Sequence, residues 1–229
     1  MHSFDTIQKV MYPIRKIKTP ENLTALAYQS IKEYILREDL DENTRLTEEF
    51  LSAQLGISKS PVREALNSLS TEGLIRIEPR RGAFLRTFSR HEVQDLYNLR
   101  EQLEAYAVSI AEVDPRMLQE MRRSIGRTKK FLKAKDRTRH IEEDMKFHGL
   151  IAAAAKNDEL CRVLTNVQNR ILLCRRLTYD LSASTAPEAH KAILDALAKG
   201  NRKAAELAMR KHISLVRNRL LGAMTQQKD

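Results

Sequence analysis

The sequence predicts a mainly α-helical protein with two parts: an N-terminal winged helix-turn-helix and a C-terminal all-α antiparallel bundle of about six helices. Residues 45–85 have the pattern of two short helices followed by a two-stranded ribbon. Residues 90–221 have helical periodicity throughout, with only three glycines and two prolines. A chain of 229 residues is long enough for two domains of this kind.

The first part is expected to begin with two helices. One starts at Asn22 or Thr24, ends near Leu36 and packs behind the others, with an apolar side facing them. The next starts after Thr47, which is a good N-cap. It ends at Gly56, because glycine readily takes the left-handed conformation that stops a helix.

A third helix and a hairpin complete this part. Ser60 is predicted to cap the helix, with Pro61 at its first position, and Gly73 ends it. Residues 74–77 and 83–86 alternate or run apolar like paired strands. The segment Pro-Arg-Arg-Gly between them has turn composition, so the ribbon is expected to carry a basic tip.

The second part is expected to contain helices only. Turn residues and prolines divide it into segments at 90–111, 115–134, 138–155, 158–181, 187–198 and 202–221. Six such helices form a compact antiparallel bundle. The expected organisation is an arm at 1–20, a winged domain at 21–88, an all-helical domain at 89–222 and a tail at 223–229.

Charge is distributed unevenly along the first part. The whole chain has a formal net charge of +10. Residues 58–90 hold 7 Lys/Arg against 3 acids, whereas residues 21–57 hold 3 against 8. A local basic surface on the third helix and ribbon suits contact with phosphate. The nine Lys/Arg of residues 122–139 are interpreted as a solvated face, with a second nucleic-acid contact as the alternative.

Several functional classes are disfavoured by composition. No apolar run approaches the ~20 residues that cross a bilayer, and charges and Pro13 interrupt the first 17 residues, so a signal peptide is not expected. Cys161 and Cys174 are too few for a disulfide framework and are interpreted as buried free thiols. We expect a soluble cytoplasmic protein.

Three histidines of the second part fall on apolar helix faces. Asp144 and His148 are four residues apart and share one face, while His190 and His212 lie on two other helices. Each could be a hydrogen-bonded core residue, but unpaired buried polar groups cost roughly 1–3 kcal/mol each. A shared divalent cation would satisfy all four groups. Such ligands suit zinc or nickel first, with manganese, iron or cobalt as alternatives.

Arg100 lies on the predicted helix 90–111, among its apolar positions. A guanidinium there needs an anion. Glu104, four residues later, is one candidate. A carboxylate ligand held at the metal is the other, because arginine grips carboxylates through two hydrogen bonds.

The candidate DNA contacts lie on the third helix and the ribbon tip. Arg63 is predicted to read a base, since arginine commonly bonds guanine O6 and N7. The other candidates would bind phosphate, an adjacent base or the minor groove; they are Lys59, Ser60, Arg80, Arg81 and Gly82. The alternative is a winged helix used for protein contacts, which the basic tip disfavours.

Together these segments resemble the GntR superfamily of bacterial transcription regulators, in its FadR branch with an FCD-type ligand-binding domain of the VanR-like subgroup. The resemblance rests on SKSPVREALNSLSTEGLI at 58–75, RRGAF at 80–84, NLREQLE at 98–104, DMKFHGLIAAAAKND at 144–158, EAHKAILDALAKGN at 188–201 and AMRKHI at 208–213. It implies a metal held by Asp144, His148, His190 and His212, and a carboxylate contact at Arg100.

The resulting hypothesis is a homodimeric, ligand-responsive transcription regulator without enzymatic activity. It would bind a pseudo-palindromic DNA operator and a small organic acid. The helical domain would bind metal and ligand and would dimerise. Two alternatives remain: a metal-dependent hydrolase-like enzyme, in which the His/Asp set activates water, and a constitutive DNA binder with a structural metal.

Overall fold

The computed structural model describes residues 22–37, 40–41, 43–175 and 183–226. The predicted arm at 1–20 lies outside these residues. In the described part the chain has the predicted fold class: a small region of helices and one hairpin, followed by a bundle of helices.

The first region contains the predicted order of three helices and a hairpin. Its elements are α1 Leu23–Arg37, α2 Glu48–Leu55, α3 Lys59–Thr71, β1 Ile75–Glu78 and β2 Gly82–Leu85. The two strands are antiparallel, with Ile75 opposite Leu85. The hairpin of β1 and β2 is the wing. Leu46 forms an isolated β-bridge with Ala83, which joins the segment before α2 to this wing.

The helix ends of this region follow local side-chain chemistry, with one difference from the prediction. The hydroxyl of Thr47 accepts from the Phe50 amide at 3.0 Å, and Gly56 has φ 66°, as expected for these caps. However, α3 begins at Lys59 with Ser58 as its N-cap, so the prediction of Ser60 as the cap was wrong. Proline lacks only an N–H that first-turn residues do not need, so Pro61 fits at the third helical position.

The core of this region is built by one face of each helix and by the hairpin. Its buried members are Ala27, Ile31, Ile35, Leu46, Leu51, Val62, Ala65, Leu66, Leu69, Leu74, Ile75, Ala83 and Leu85, with Leu173 from the second region. The contribution of Leu173 means that the two regions share apolar contacts. The stripe that α3 buries consists of Val62, Ala65, Leu66 and Leu69, which have the spacing of one helix face.

The second region consists of six α-helices and one short 3-10 turn within the described residues. Its helices are α4 Arg90–Ile110, α5 Pro115–Lys133, α6 Arg137–Ala154, α7 Asp158–Arg175, α8 Ala186–Ala198 and α9 Arg202–Gln226, with the turn at Ala183–Thr185. The predicted end of the fourth of these helices at 181 lies outside the described residues. α9 continues five residues past the predicted end at 221, into the predicted tail.

Caps and long-range packing arrange these helices. Ser89 and Glu92 form a capping box at the start of α4, and Asp114 caps α5 ahead of Pro115. α4 packs along α9 and also touches α6 and α7, while α8 packs on α5 and α9. The faces of α4, α6, α8 and α9 therefore meet in the middle of the bundle. No helix in the described ranges is both long and apolar enough to cross a membrane.

Candidate metal centre and nucleic-acid interface

The four side chains predicted as metal ligands lie together inside the bundle. Asp144 and His148 come from α6, His190 from α8 and His212 from α9. One potential ligand atom from each lies within 4.8 Å of the other three. The side chains are buried, with between 0 and 5% of each residue exposed.

The chemistry of this cluster fits a divalent metal. Among the described residues, no hydrogen-bond partner is found for His148 Nε2 or for either ring nitrogen of His190. His190 Nε2 lies 3.4 Å from Asp144 Oδ1, which is at the outer limit for a hydrogen bond. Nitrogen and oxygen ligands at ~2.0–2.1 Å from one ion lie roughly 3–4 Å apart, so the observed spacing needs little adjustment.

The protonation of the histidines also suits metal binding. Burial lowers the pKa of His212 to about 3, and the neighbouring His148 adds to the effect. Burial likewise lowers the pKa of His190 well below its usual value, with His212 as the second cause. Neutral imidazoles keep the lone pair that a metal binds.

Glu104 completes the surroundings of His148. Arg100 Nε donates to Glu104 Oε1 at 2.6 Å, and the other carboxylate oxygen is hydrogen-bonded to His148 Nδ1. All three side chains are buried. Burial opposes ionisation of Glu104, but the charge of Arg100 and the contact with His148 outweigh it and lower the pKa of Glu104. The bond at Nδ1 leaves Nε2 of His148 facing the cluster.

Sequence reasoning considered Glu104 only as a partner for Arg100 and missed its contact with His148. The i,i+4 spacing of Arg100 and Glu104 predicted the contact between these two side chains. The second joins α4 to α6 across 44 residues of sequence, and no local pattern indicates it. Of the two partners considered for Arg100, the structure places Glu104 against it. Arg100 also lines a small cavity beside Asp144.

The predicted DNA-binding side chains lie on an exposed surface of α3 and the wing. Lys59, Ser60 and Arg63 are exposed on the first turns of α3. Arg80 and Arg81 are exposed in the turn between β1 and β2. Arg80 has φ 63°, a left-handed conformation that turns the chain sharply here.

Gly82 has a structural reason to be glycine. Its φ is 104°, and a Cβ at this position would lie 3.3 Å from the Leu46 carbonyl oxygen and 3.3 Å from Arg45 Nε. A side chain would therefore be strained and would crowd the bridge that holds the wing. Gly82 therefore sets the shape of the wing tip.

Acidic residues of α2 pair with the basic residues of α3. Arg63 donates from Nε and Nη2 to the carboxylate of Glu48 at 2.7 and 2.6 Å. Lys59 Nζ lies 2.5 Å from Glu49 Oε1, and Arg81 pairs with Glu78 in the wing. Exposed pairs like these contribute about 0–1 kcal/mol, so phosphate or guanine can replace the carboxylates at little cost.

A two-stranded wing next to an exposed basic helix, joined to a helical domain, is the architecture of a winged helix-turn-helix DNA-binding protein with a second domain. Comparison with known proteins identifies it further. The family described as "Bacterial regulatory proteins, gntR family" matches residues 23–85, and the FCD domain family matches residues 95–215. The chain therefore belongs to the GntR family of bacterial transcription regulators and contains an FCD domain.

Relatives agree with this assignment. The Nta operon transcriptional regulator of Aminobacter aminovorans is 30% identical over 194 residues, covering 80% of this chain and 89% of the relative. The uncharacterised HTH-type transcriptional regulator YdhC of Bacillus subtilis is 28% identical over 204 residues, covering 87% and 91%. The matched families and relatives are transcription regulators, and this protein is one rather than an enzyme.

Solved structures share the fold. A structure titled as a transcriptional regulator GntR from Rhodococcus sp. RHA1 has a TM-score of 0.77 at 23% identity, covering 87% of this chain and 98% of that one. The structure of E. coli McbR/YncC has a TM-score of 0.74 at 20% identity, covering 90% and 99%. The family matches, and not these structures, replace the hydrolase-like alternative with a regulator.

Proposed function

We propose that this GntR-family regulator senses a small organic acid at a divalent metal inside its helical domain, and that it acts as a cytoplasmic homodimer on a pseudo-palindromic operator. One observation carries the proposal: four buried side chains from three helices bring their ligand atoms within 4.8 Å of one another. The proposed domains are the expected ones, with the winged domain at 21–88 and the sensor domain at 89–222.

The proposed metal ligands are Asp144, His148, His190 and His212. Zinc or nickel suits this set best, and manganese, iron or cobalt are alternatives. When bound, the metal supplies a Lewis-acidic centre with room for a carboxylate oxygen. Glu104 fixes the orientation of His148, a role that such outer carboxylates commonly have.

Arg100 is proposed to attract the carboxylate of the effector. The ion pair with Glu104 holds its guanidinium in place, and Arg100 and Asp144 line the same small cavity. That cavity has a volume of about 10 Å³, roughly the space of one water molecule. An acid therefore requires neighbouring side chains to move. A ligand shifts an equilibrium between two arrangements of a protein only if it binds them with different affinities. Because the acid fits only after these side chains have moved, it would bind the moved arrangement more tightly.

The winged domain is proposed to bind DNA through α3 and the wing tip. Arg63 would exchange Glu48 for a base edge, while Lys59, Ser60, Arg80, Arg81 and Gly82 contact phosphate, an adjacent base or the minor groove. Two copies would place their α3 helices in successive major grooves of one operator.

The test combines metal analysis with DNA selection. DNA fragments retained by the purified protein are sequenced, and binding to the selected operator is measured with metal-free and metal-loaded protein while small acids are added. We expect one metal per chain, and an acid that changes operator affinity only in the metal-loaded form. The His148→Ala, His190→Ala double variant should lose the metal.

Two outcomes would contradict parts of this proposal. One metal per chain in the double variant would mean that other residues are the ligands. Operator binding that ignores every acid, with the metal bound, would favour the remaining alternative of a structural metal in a constitutive DNA binder. The cavity beside the cluster is small, and this observation favours the alternative of a structural metal.

A further inference from the structure

A larger cavity lies between the winged region and the metal cluster. It has a volume of about 650 Å³ and is lined by α1 on one side and by α6 on the other, with Leu172 of α7 contributing. Ligand pockets in proteins commonly have volumes of about 300–1,000 Å³. Four of its lining residues are apolar, namely Leu36, Ile141, Met145 and Leu172. The other seven are polar or charged: Gln29, Lys32, Glu33, Arg37, Arg137, Thr138 and Glu142.

The outer cavity and the small cavity beside Asp144 are separated by three side chains. Ile141, Met145 and Leu172 line both of them. Behind this partition, the small cavity reaches Arg100 and Asp144. Movement of the partition would join the two spaces and connect the metal cluster to the outer cavity.

Two of the three partition side chains are less enclosed than the cluster ligands, while Leu172 is buried. The members of the partition have no polar group whose hydrogen bond would be broken by rotation. Ile141 and Met145 are only partly buried, unlike Asp144 and His148 on the same helix. Methionine is unbranched and has three rotatable side-chain bonds, so it adapts readily to a ligand.

The outer cavity also touches the elements that carry the DNA-binding surface. Leu36 belongs to α1, whose apolar face is part of the winged core. Leu173 follows Leu172 on α7 and is buried in that same core. Arg37 and Glu142 approach to 3.4 Å, linking α1 to α6. A ligand that fills this cavity therefore presses on both regions at once.

We propose that the outer cavity is the route to the metal cluster and the second half of the effector site. The effector is then a monocarboxylate with an apolar body: its carboxylate lies near Asp144 and Arg100, and its body lies between Leu36 and Met145. Binding holds the partition open and shifts α1 relative to α6. This inference rests on the proposed metal centre and specifies both the ligand class and the way its binding reaches the winged region.

The route is tested by the rate of cobalt uptake into metal-free protein, followed by visible absorption. Met145→Trp should slow second-order uptake at least tenfold while the final stoichiometry stays at one. Leu36→Trp adds the same bulk from the α1 side, outside the bundle core, and should also slow uptake. Leu118→Trp is the control, because Leu118 lines a different cavity between α5 and α8.

The ligand class is tested on cobalt-loaded protein with the n-alkanoates from acetate to hexanoate. Each buried methylene should raise affinity roughly fourfold until the cavity is filled. With Leu36→Trp, the affinity should stop increasing at a shorter alkanoate than with the wild-type protein. Leu118→Trp should not change the alkanoate length at which the increase stops. Since the sequence has no tryptophan, the indole emission of the Leu36→Trp variant also reports whether the body of the acid reaches α1.

The outcomes separate this inference from the function it rests on. If the wild-type chain takes up no cobalt, the proposed metal centre is wrong and this inference falls with it. If the wild type takes up cobalt and both tryptophan variants do so at the wild-type rate, the route alone is wrong. Equal affinity for all the alkanoates would show that the outer cavity is not part of the effector site.

Discussion

At the scale of single residues, Glu104 joins two functions that the sequence suggests separately. It neutralises Arg100 and orients His148, and all three side chains are nearly inaccessible to solvent. Loss of one member of a buried ion pair commonly destabilises by roughly 3–5 kcal/mol. The stability of the bundle and the metal affinity of the proposed centre are therefore expected to be linked through one carboxylate.

Glu104→Gln tests this link. The amide keeps the shape of the side chain but loses the charge, so we expect metal affinity to fall about 10–100-fold and the unfolding free energy of metal-free protein to fall by about 3 kcal/mol. Chelator competition and urea unfolding measure the two effects. Glu206→Gln, which removes a less buried pair with Arg210, should change neither substantially. Unchanged metal affinity in Glu104→Gln would contradict the orienting role.

The buried histidines predict a pH dependence for the metal-free chain. The pKa of His212 is lowered to about 3, whereas an unfolded histidine has a pKa near 6.5. Between these values the unfolded chain holds a proton that the folded chain lacks. Stability is therefore retained above pH 6.5 and falls as the pH decreases, by about 1.4 kcal/mol per pH unit.

Urea unfolding at several pH values measures this effect. For His212 alone, the expected loss between pH 7.5 and pH 5 is about 2 kcal/mol. His212→Asn should remove that part of the slope, since asparagine does not titrate. Equal slopes for the two metal-free chains between pH 7.5 and 5 would show that the pKa of His212 is the same in the folded and the unfolded chain.

At the scale of elements, ion pairs join α2 to α3. Two acids at the start of α2 form ion pairs with basic side chains of α3. The pairs are Glu48–Arg63 and Glu49–Lys59. The hydrogen bond from Arg63 lowers the pKa of Glu48, so that carboxylate stays ionised at neutral pH. In the proposed complex, DNA would replace these carboxylates as the partners of Arg63 and Lys59.

Arg63→Ala tests the role of α3. We expect operator binding to weaken by roughly 1–3 kcal/mol and specificity to relax at one base pair. Binding to the selected operator and to its single-base variants measures both effects. Arg162→Ala removes an exposed guanidinium from α7, outside the basic run of residues 122–139, and should leave binding unchanged. Wild-type affinity and specificity in Arg63→Ala would reject Arg63 as a base reader.

At the scale of the whole molecule, α4 and α9 carry exposed apolar side chains that the proposed homodimer would bury. Hydrogen bonds from Arg202 to Ser109, from Arg210 to Gln102 and from Arg217 to Asn98 fix the two helices in antiparallel register. This register sets Tyr106 level with Leu207 and Leu99 level with Leu215. All four side chains are exposed, Leu207 to 69%, and clustered exposed apolar groups often mark protein interfaces.

Leu207→Glu tests this surface. A charge in the middle of an apolar contact is poorly solvated once buried, so we expect the proposed dimer to dissociate and operator affinity to fall with it. Sedimentation velocity measures the assembly state. Ile77→Glu adds the same charge to an exposed apolar site on the wing and should leave the assembly state unchanged. A Leu207→Glu dimer as stable as the wild type would place the interface elsewhere.

Much of the fold could be predicted because its causes are local. Thr47, Gly56 and Ser89 act on backbone groups within a few residues, and helical spacing identifies the faces that become buried. The three histidines and Asp144 could be placed on inward faces for the same reason. The start of α3 was missed because Ser58 and Ser60 are both reasonable caps, and Pro61 is compatible with either.

The sequence by itself determined which segments are helices, which of their faces are apolar, and which residue types could meet at the centre of the bundle. Only the tertiary structure decided that Arg100 pairs with Glu104 while Glu104 also contacts His148, and that Ile141, Met145 and Leu172 separate two cavities. Periodicity fixes the direction of a side chain relative to its own helix. The partner it meets depends on how helices far apart in sequence pack together.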